Sequence, residues 1–125
     1  MMNIYFAVAG GLMFVAGFLH LGTVQWRYPV LVKTFSPEAE GPLPYVSTTI
    51  RMLAVYDMMS FIGQGAMVMY SAFHPEHPLC RAVVIVIGVT CLLNGGVVAL
   101  CTGGKHPGWF FACVVGILLF WGIIR

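Results

Sequence analysis

The chain has 125 residues, of which 60% are hydrophobic and only 8% are charged, with a formal net charge of +2. A soluble domain of this size exposes much of its surface and is about 25% charged, so the composition excludes a water-soluble globular fold. It also excludes a disordered chain, a basic nucleic-acid-binding domain and a disulfide-stapled secreted module. We therefore expect one membrane domain over residues 1–125, with the lipid bilayer as partner and no nucleic acid.

Four apolar segments approach the roughly 20 residues that a helix needs to cross a bilayer. They cover residues 4–24, 50–73, 79–101 and 108–124. The first segment has no basic n-region and is too long for the h-region of a signal peptide, so we expect it to remain in the protein. The predicted fold is an all-α integral membrane protein, a bundle of four transmembrane helices.

The predicted connections are one long loop and two tight turns. Residues 25–49 hold four of the seven prolines, which favours a non-helical loop between the first two helices. The two turns make their neighbouring helices antiparallel. Lys and Arg are more frequent on the long-loop side (Arg27, Lys33, Arg51 and Lys105) than on the other (Arg81 and Arg125). This count predicts that the long loop is cytoplasmic and that both termini lie outside. We expect the protein in the inner membrane of the cell.

Two ionisable side chains, His20 and Asp57, fall well inside the predicted spans. Such groups are costly in a bilayer and usually face the bundle interior, where they serve function. His20 is near the end of the first span and Asp57 near the start of the second, and both of these ends adjoin the long loop. We therefore expect the two side chains at similar depth, in one pocket in the half of the membrane nearer that loop.

Other polar residues extend this predicted pocket. The spacing in the second span places one row of residues on a single helix face, namely Asp57, Ser60, Gln64, Met67 and Ser71. Asn94 of the third span is in the same half of the membrane, His106 begins the fourth span, and Arg51 lies above the pocket at the interface. The candidate ligand-binding or proton-binding residues are His20, Asp57, Gln64, Asn94, Arg51 and His106. A structural interpretation, in which Gln64 and Asn94 only join helices by hydrogen bonds, stays open.

The sequence leaves three functions open. The first is binding or transport of a small ligand, an ion or a proton through the intramembrane pocket. The second is a membrane-embedded enzyme or redox subunit that uses the same pocket, although no G-x-S-x-G or Walker A motif is present. The third is a structural subunit of a larger membrane complex. Glycines in the spans favour close helix packing and hence a homo-oligomer or a membrane complex.

Metal and cofactor binding is a further alternative. Histidine is a common metal ligand, and the candidates are His20 inside the first span and the pair His74 and His77 in one turn. Haem between the helices needs two axial ligands at one depth, of which His20 would be one. Five methionines in the second span suit copper(I), although methionine is also a routine filler of apolar gaps.

Overall fold

The computed structural model describes the backbone of residues 1–35 and 43–125, and the side chains of residues 1–22, 52 and 55–125. Within these residues the chain forms four α-helices and no strand, which confirms the predicted all-helical fold. The helices are α1 (Ile4–Phe35), α2 (Leu43–Phe73), α3 (Pro78–Thr102) and α4 (Gly108–Ile124).

The first two helices are longer than the sequence predicts. α1 continues to Phe35 and α2 begins at Leu43, so the prediction of a loop over residues 25–49 is wrong for most of that segment. Residues 36–42 lie outside the described part of the chain. The prediction weighed the prolines over the whole segment, whereas the helical parts contain only Pro29 and Pro44. Pro44 is in the first turn of α2, where no helical hydrogen bond is lost, and Pro29 adds a local cost of about 3 kcal/mol that does not forbid a helix.

The ends of α3 are set by the residues that flank it. His77 is the N-cap, and its Nδ1 accepts a hydrogen bond of 3.3 Å from the Leu79 N–H. Pro78 follows at the first helical position, where its fixed φ suits a helix. At the other end Gly103 has a φ of 58°, a left-handed conformation that glycine adopts without steric cost. Local sequence therefore determines where α3 begins and ends.

The helices pack in sequence order, and α4 closes back against α1. Gly10 lies against Met69 and Gly17 lies against Ile62, so α1 and α2 run antiparallel. In α3 and α4, Gly88 lies against Phe120 and Gly95 lies against Cys113, so these two helices are antiparallel as well. The packing of α2 on α3 is the least extensive of the four interfaces. The buried core is formed by Phe6, Ala9, Met13, Val68, Ala72, Val84, Ile87, Cys91, Val115 and Leu119.

Asn3 joins the ends of three helices. Its Oδ1 accepts hydrogen bonds from the backbone N–H groups of Tyr5 and Phe6 and so caps α1. Its Nδ2 donates to the Gly122 carbonyl of α4 at 2.7 Å, and its backbone N–H donates to the Ala72 carbonyl of α2 at 2.8 Å. One side chain and its own backbone therefore fix the start of α1 against α2 and α4.

Within the residues that the structure describes, two helical segments are long and apolar enough to cross a membrane. They are Ile4–Gly22 of α1, with a mean hydropathy of 1.9, and Pro78–Thr102, which is α3, with a mean hydropathy of 2.5. Only 28% of each apolar window is buried inside the protein. Helix α4 is apolar but, at 17 residues, shorter.

Candidate functional site

The polar row of α2 lies along α3. Gln64 and Met67 line an opening of about 370 Å³ between the two helices, and Met67 and Ser71 line a second opening of about 330 Å³. We refer to the two openings together as the α2–α3 groove. They adjoin, since both are lined by Met67 and Val83. The remaining lining residues are Ala66, Tyr70, Leu79, Cys80, Ala82, Val86, Ile87 and Thr90.

The groove lies at the least extensive of the four helix interfaces, where α2 and α3 pack loosely. The α3 wall is made of small and β-branched side chains, including Ala82, Val83 and Val86. These side chains are too short to fill the space in front of α2, and Ala82 contributes only a methyl group. A cleft lined mostly by apolar groups with a few polar atoms is the usual form of a site for a small molecule.

The hydroxyl groups of the groove donate to their own helices. Ser71 Oγ donates to the Met67 carbonyl at 2.8 Å, and Thr90 Oγ1 donates to the Val86 carbonyl at 2.9 Å. Gln64 Nε2 donates to Ser60 Oγ at 3.3 Å. The protons of Ser71 and Thr90 are therefore engaged, and the oxygen atoms of Gln64 and Thr90 keep capacity to accept. The groove thus offers hydrogen-bond acceptors to a ligand that carries a donor.

Asp57 and Asn94 lie on the continuation of the groove. Asp57 is seven residues before Gln64, and Asn94 is four residues after Thr90, spacings that keep each on the same flank of its helix. Because the two helices are antiparallel, both positions extend the groove in the same direction, away from the α2–α3 turn. Both side chains are exposed. Their roles in binding stay predictions.

The structure brings together two of the predicted histidines, His20 and His106. Their rings meet edge to face with centroids 6.3 Å apart and planes at 60°. His106 Nδ1 accepts a hydrogen bond of 3.0 Å from the Gly108 N–H. This pair joins α1 to the start of α4, whereas the groove lies between α2 and α3. The predicted residues are therefore distributed over two sides of the helix assembly, and the side chain of Arg51 lies outside the described residues.

The two histidines of the α2–α3 turn have other contacts. His77 Nδ1 caps α3, so its neutral ring carries the proton on Nε2, and neither nitrogen then has a free lone pair for a metal. The ring of His74 lies 4.6 Å from the ring of Tyr70 between centroids. Among the described residues no group of three or more His, Cys, Asp or Glu side chains is arranged to hold a metal ion. The described residues therefore supply no cluster of three such ligands around His20, His74 or His77. Haem or copper binding stays a prediction.

Sequence reasoning did not single out Thr90 or the apolar α3 wall of the groove as a site. Thr90 is four residues before Asn94, and that spacing was the available signal. Comparison of the chain with family models, with curated proteins and with solved structures finds no match. Inference about function therefore starts from the residues and the geometry of the groove.

Proposed function

We propose that this protein is a multi-pass membrane protein that binds a small, largely apolar molecule in the α2–α3 groove. In this proposal all four helices span the inner membrane of the cell, with both termini outside. The groove then opens sideways into the hydrocarbon region of the bilayer. The observation that carries the proposal is the apolar groove with acceptor oxygens on both walls, from Gln64 and Thr90.

The outer surface supports placement in a membrane. Large apolar side chains are exposed on several helices, among them Val15 (59%), Leu93 (66%) and Ile117 (58%). Exposing each of these side chains to water would cost about 25 cal/mol per Å² of apolar area. The same side chains in contact with lipid would carry no such cost. The two segments that are long and apolar enough to cross a membrane also have most of their residues turned away from the core, unlike the central helix of a soluble protein.

The chemistry of the groove defines the class of ligand. Openings of about 370 and 330 Å³ suit a small molecule or the end of a lipid chain. Gln64 and Thr90 place acceptor oxygens on the two walls, and the second N–H of Gln64 and the Tyr70 hydroxyl can donate, so the preferred ligand carries a hydroxyl or amide group on an apolar body. A ligand of this kind is soluble in lipid, which is the phase that the groove faces in the proposal.

Transport is an extension of the same proposal. Asp57 and Asn94 continue the two flanks of the groove, so a ligand or a proton that leaves the groove in that direction meets a carboxyl group and an amide. We assign proton exchange to Asp57, ligand orientation to Asn94 and Gln64, and a supporting role to His20, His106 and Arg51. Gly11, Gly63 and Gly96 have open space at their Cβ positions, which suits close approach of a second copy or of another subunit.

The test uses two photoactivatable probes of equal chain length, a diazirine alcohol and the matching diazirine alkane. Both are added to the full protein in detergent micelles, and the labelled residues are mapped by mass spectrometry. We expect labels on Met67, Val83 and Val86, with more from the alcohol than from the alkane. Gln64→Leu removes an acceptor, so it should bring the two labelling yields together.

A blocking variant distinguishes labelling inside the groove from labelling of any helix face that contacts lipid. Ala82→Phe fills the opening, and Val89→Phe adds the same ring to an exposed position of α3 that does not line the groove. We expect Ala82→Phe to lower groove labelling at least fivefold and Val89→Phe to leave it unchanged. Equal labelling of all exposed helix faces, or no effect of Ala82→Phe, would overturn the proposal.

A further inference from the structure

A separate cavity of about 490 Å³ lies where α1 begins and α4 ends. Its wall is built from residues 1–6, from Pro75 and Glu76 of the α2–α3 turn, from Arg81 of α3, and from the end of α4. Four separate parts of the chain thus converge on one opening. It shares no lining residue with the α2–α3 groove.

Hydrogen bonds hold the walls of this cavity in place. Asn3 lines the cavity and bonds to Gly122 of α4, which lines it too, and to Ala72 near the end of α2. These bonds fix the start of α1 relative to the ends of α2 and α4. The cavity is therefore a shaped opening between anchored helix ends.

The charges on the wall are unbalanced. Among the described side chains that line the cavity, two are cationic, Arg81 and Arg125, and one is anionic, Glu76. Within the described part of the chain neither arginine has an ion-pair partner. The guanidinium carbon of Arg125 lies 5.8 Å from the centre of the Trp121 ring, a cation–π contact that orients the side chain. Two arginines on one opening attract an anion, and the planar guanidinium matches the oxygen atoms of phosphate.

We propose that Arg81 and Arg125 bind a phosphate group in this cavity. The apolar part of the wall, which includes Ile4, Phe6 and Ile123, accommodates the carbon atoms next to that phosphate. Two sources share this chemistry, a phospholipid headgroup and a free phosphate compound. The lipid source rests on the proposed membrane placement, since the cavity lies at the ends of the apolar segments of α1 and α3, where headgroups lie. The arginine pair itself does not depend on the α2–α3 groove.

The test measures binding of two probes to the full protein. Inorganic phosphate is titrated into the detergent-solubilised protein by calorimetry. In parallel, the protein is reconstituted into nanodiscs of phosphatidylcholine with or without 20% phosphatidylglycerol, and the number of retained phosphatidylglycerol molecules is counted by native mass spectrometry. Because a hydrogen bond to a charged group contributes strongly to affinity, Arg81→Gln and Arg125→Gln should each weaken binding at least tenfold.

Control variants distinguish binding at a specific site from attraction by the overall positive charge of the protein. Lys105→Gln removes one positive charge from the opposite end of α3 and should leave binding unchanged, and Glu76→Gln should strengthen binding a few fold. Circular dichroism checks that each variant keeps its helical content. Binding of phosphatidylglycerol alone identifies the lipid source, and competition by inorganic phosphate identifies a free phosphate compound. No binding of either probe, or an equal loss in Lys105→Gln and Arg81→Gln, would overturn the phosphate site whatever the outcome for the groove.

Discussion

The imidazole rings of His20 and His106 meet edge to face with their centroids 6.3 Å apart, although 86 positions separate the two residues in the chain. His106 also accepts a hydrogen bond from Gly108 through Nδ1, at the start of α4. The pair therefore links α1 to the turn between α3 and α4. A neutral imidazole that accepts at Nδ1 carries its proton on Nε2, and this defines which atom of His106 faces outward for further contacts.

The first prediction concerns the tautomers of His77 and His106. Both accept a backbone hydrogen bond at Nδ1, so we expect the Nε2–H tautomer for both rings in the neutral state. Nitrogen-15 NMR of histidine-labelled protein distinguishes the two tautomers directly. Since metal binding at Nε2 requires the other tautomer, one equivalent of Zn²⁺ should leave both spectra unchanged. Zn²⁺-dependent shifts at either ring would contradict the assignment.

The second prediction concerns Asn3. Asn3→Ala removes the cap of α1 and the bond to Gly122, so we expect a loss of about 1–3 kcal/mol in the free energy of unfolding. Asn3→Asp keeps an oxygen for the cap but has no side-chain N–H for Gly122, and should fall between wild type and Asn3→Ala. Unfolding in detergent micelles, followed by circular dichroism, ranks the three proteins. Equal stability of Asn3→Ala and wild type would show that this junction contributes nothing.

The third prediction compares two adjacent glycines. A Cβ on Gly10 would lie 2.7 Å from Met69 Cγ and 3.0 Å from the Gly65 carbonyl oxygen, whereas a Cβ on Gly11 meets nothing within 4 Å. Gly10→Ala should therefore separate α1 from α2 at a cost of about 1–3 kcal/mol. Gly11→Ala should be neutral or stabilise by up to about 1 kcal/mol, because alanine favours a helix. The same unfolding measurement checks both, and a reversed order would place α1 in a different rotation.

The fourth prediction tests whether α3 crosses the membrane. Single cysteines replace Glu76 and Lys105, on the turns before and after α3, in a background with Cys101→Ser. A membrane-impermeant maleimide applied to intact cells should label Glu76→Cys, and Lys105→Cys only after permeabilisation. The background protein gives the reference signal from the remaining cysteines. Labelling of both positions from the same side would show that α3 does not span.

Part of the candidate site is readable from sequence because helical spacing is a local property. The row that contains Ser60, Gln64 and Ser71 follows from the helical repeat alone, and three of its members, Gln64, Met67 and Ser71, line the groove. Which neighbour the row faces is not local. It faces α3, whereas His20 and His106, which the prediction placed in one pocket with this row, lie against each other between α1 and the start of α4.

The cavity lined by Arg81 and Arg125 shows the same limit. In the sequence these residues are two cations near helix ends, 44 positions apart, and they enter only a count of positive charges. Their shared position depends on how α4 returns to the start of α1, which Asn3 secures by its bond to Gly122. Long-range contacts of this kind have no signature in the spacing of residues along the chain.

The sequence by itself determined that the protein is helical and apolar, where α3 and α4 begin and end, and which residues of α2 share a face. These properties follow from composition, capping and the helical repeat, which act over a few residues. Only the tertiary structure decided the loose packing of α2 on α3, the contact between His20 and His106, and the shared cavity of Arg81 and Arg125. The reason is that side-chain volumes from different helices must fit together, and glycines such as Gly10 and Gly95 bring some pairs close while leaving α2 and α3 apart.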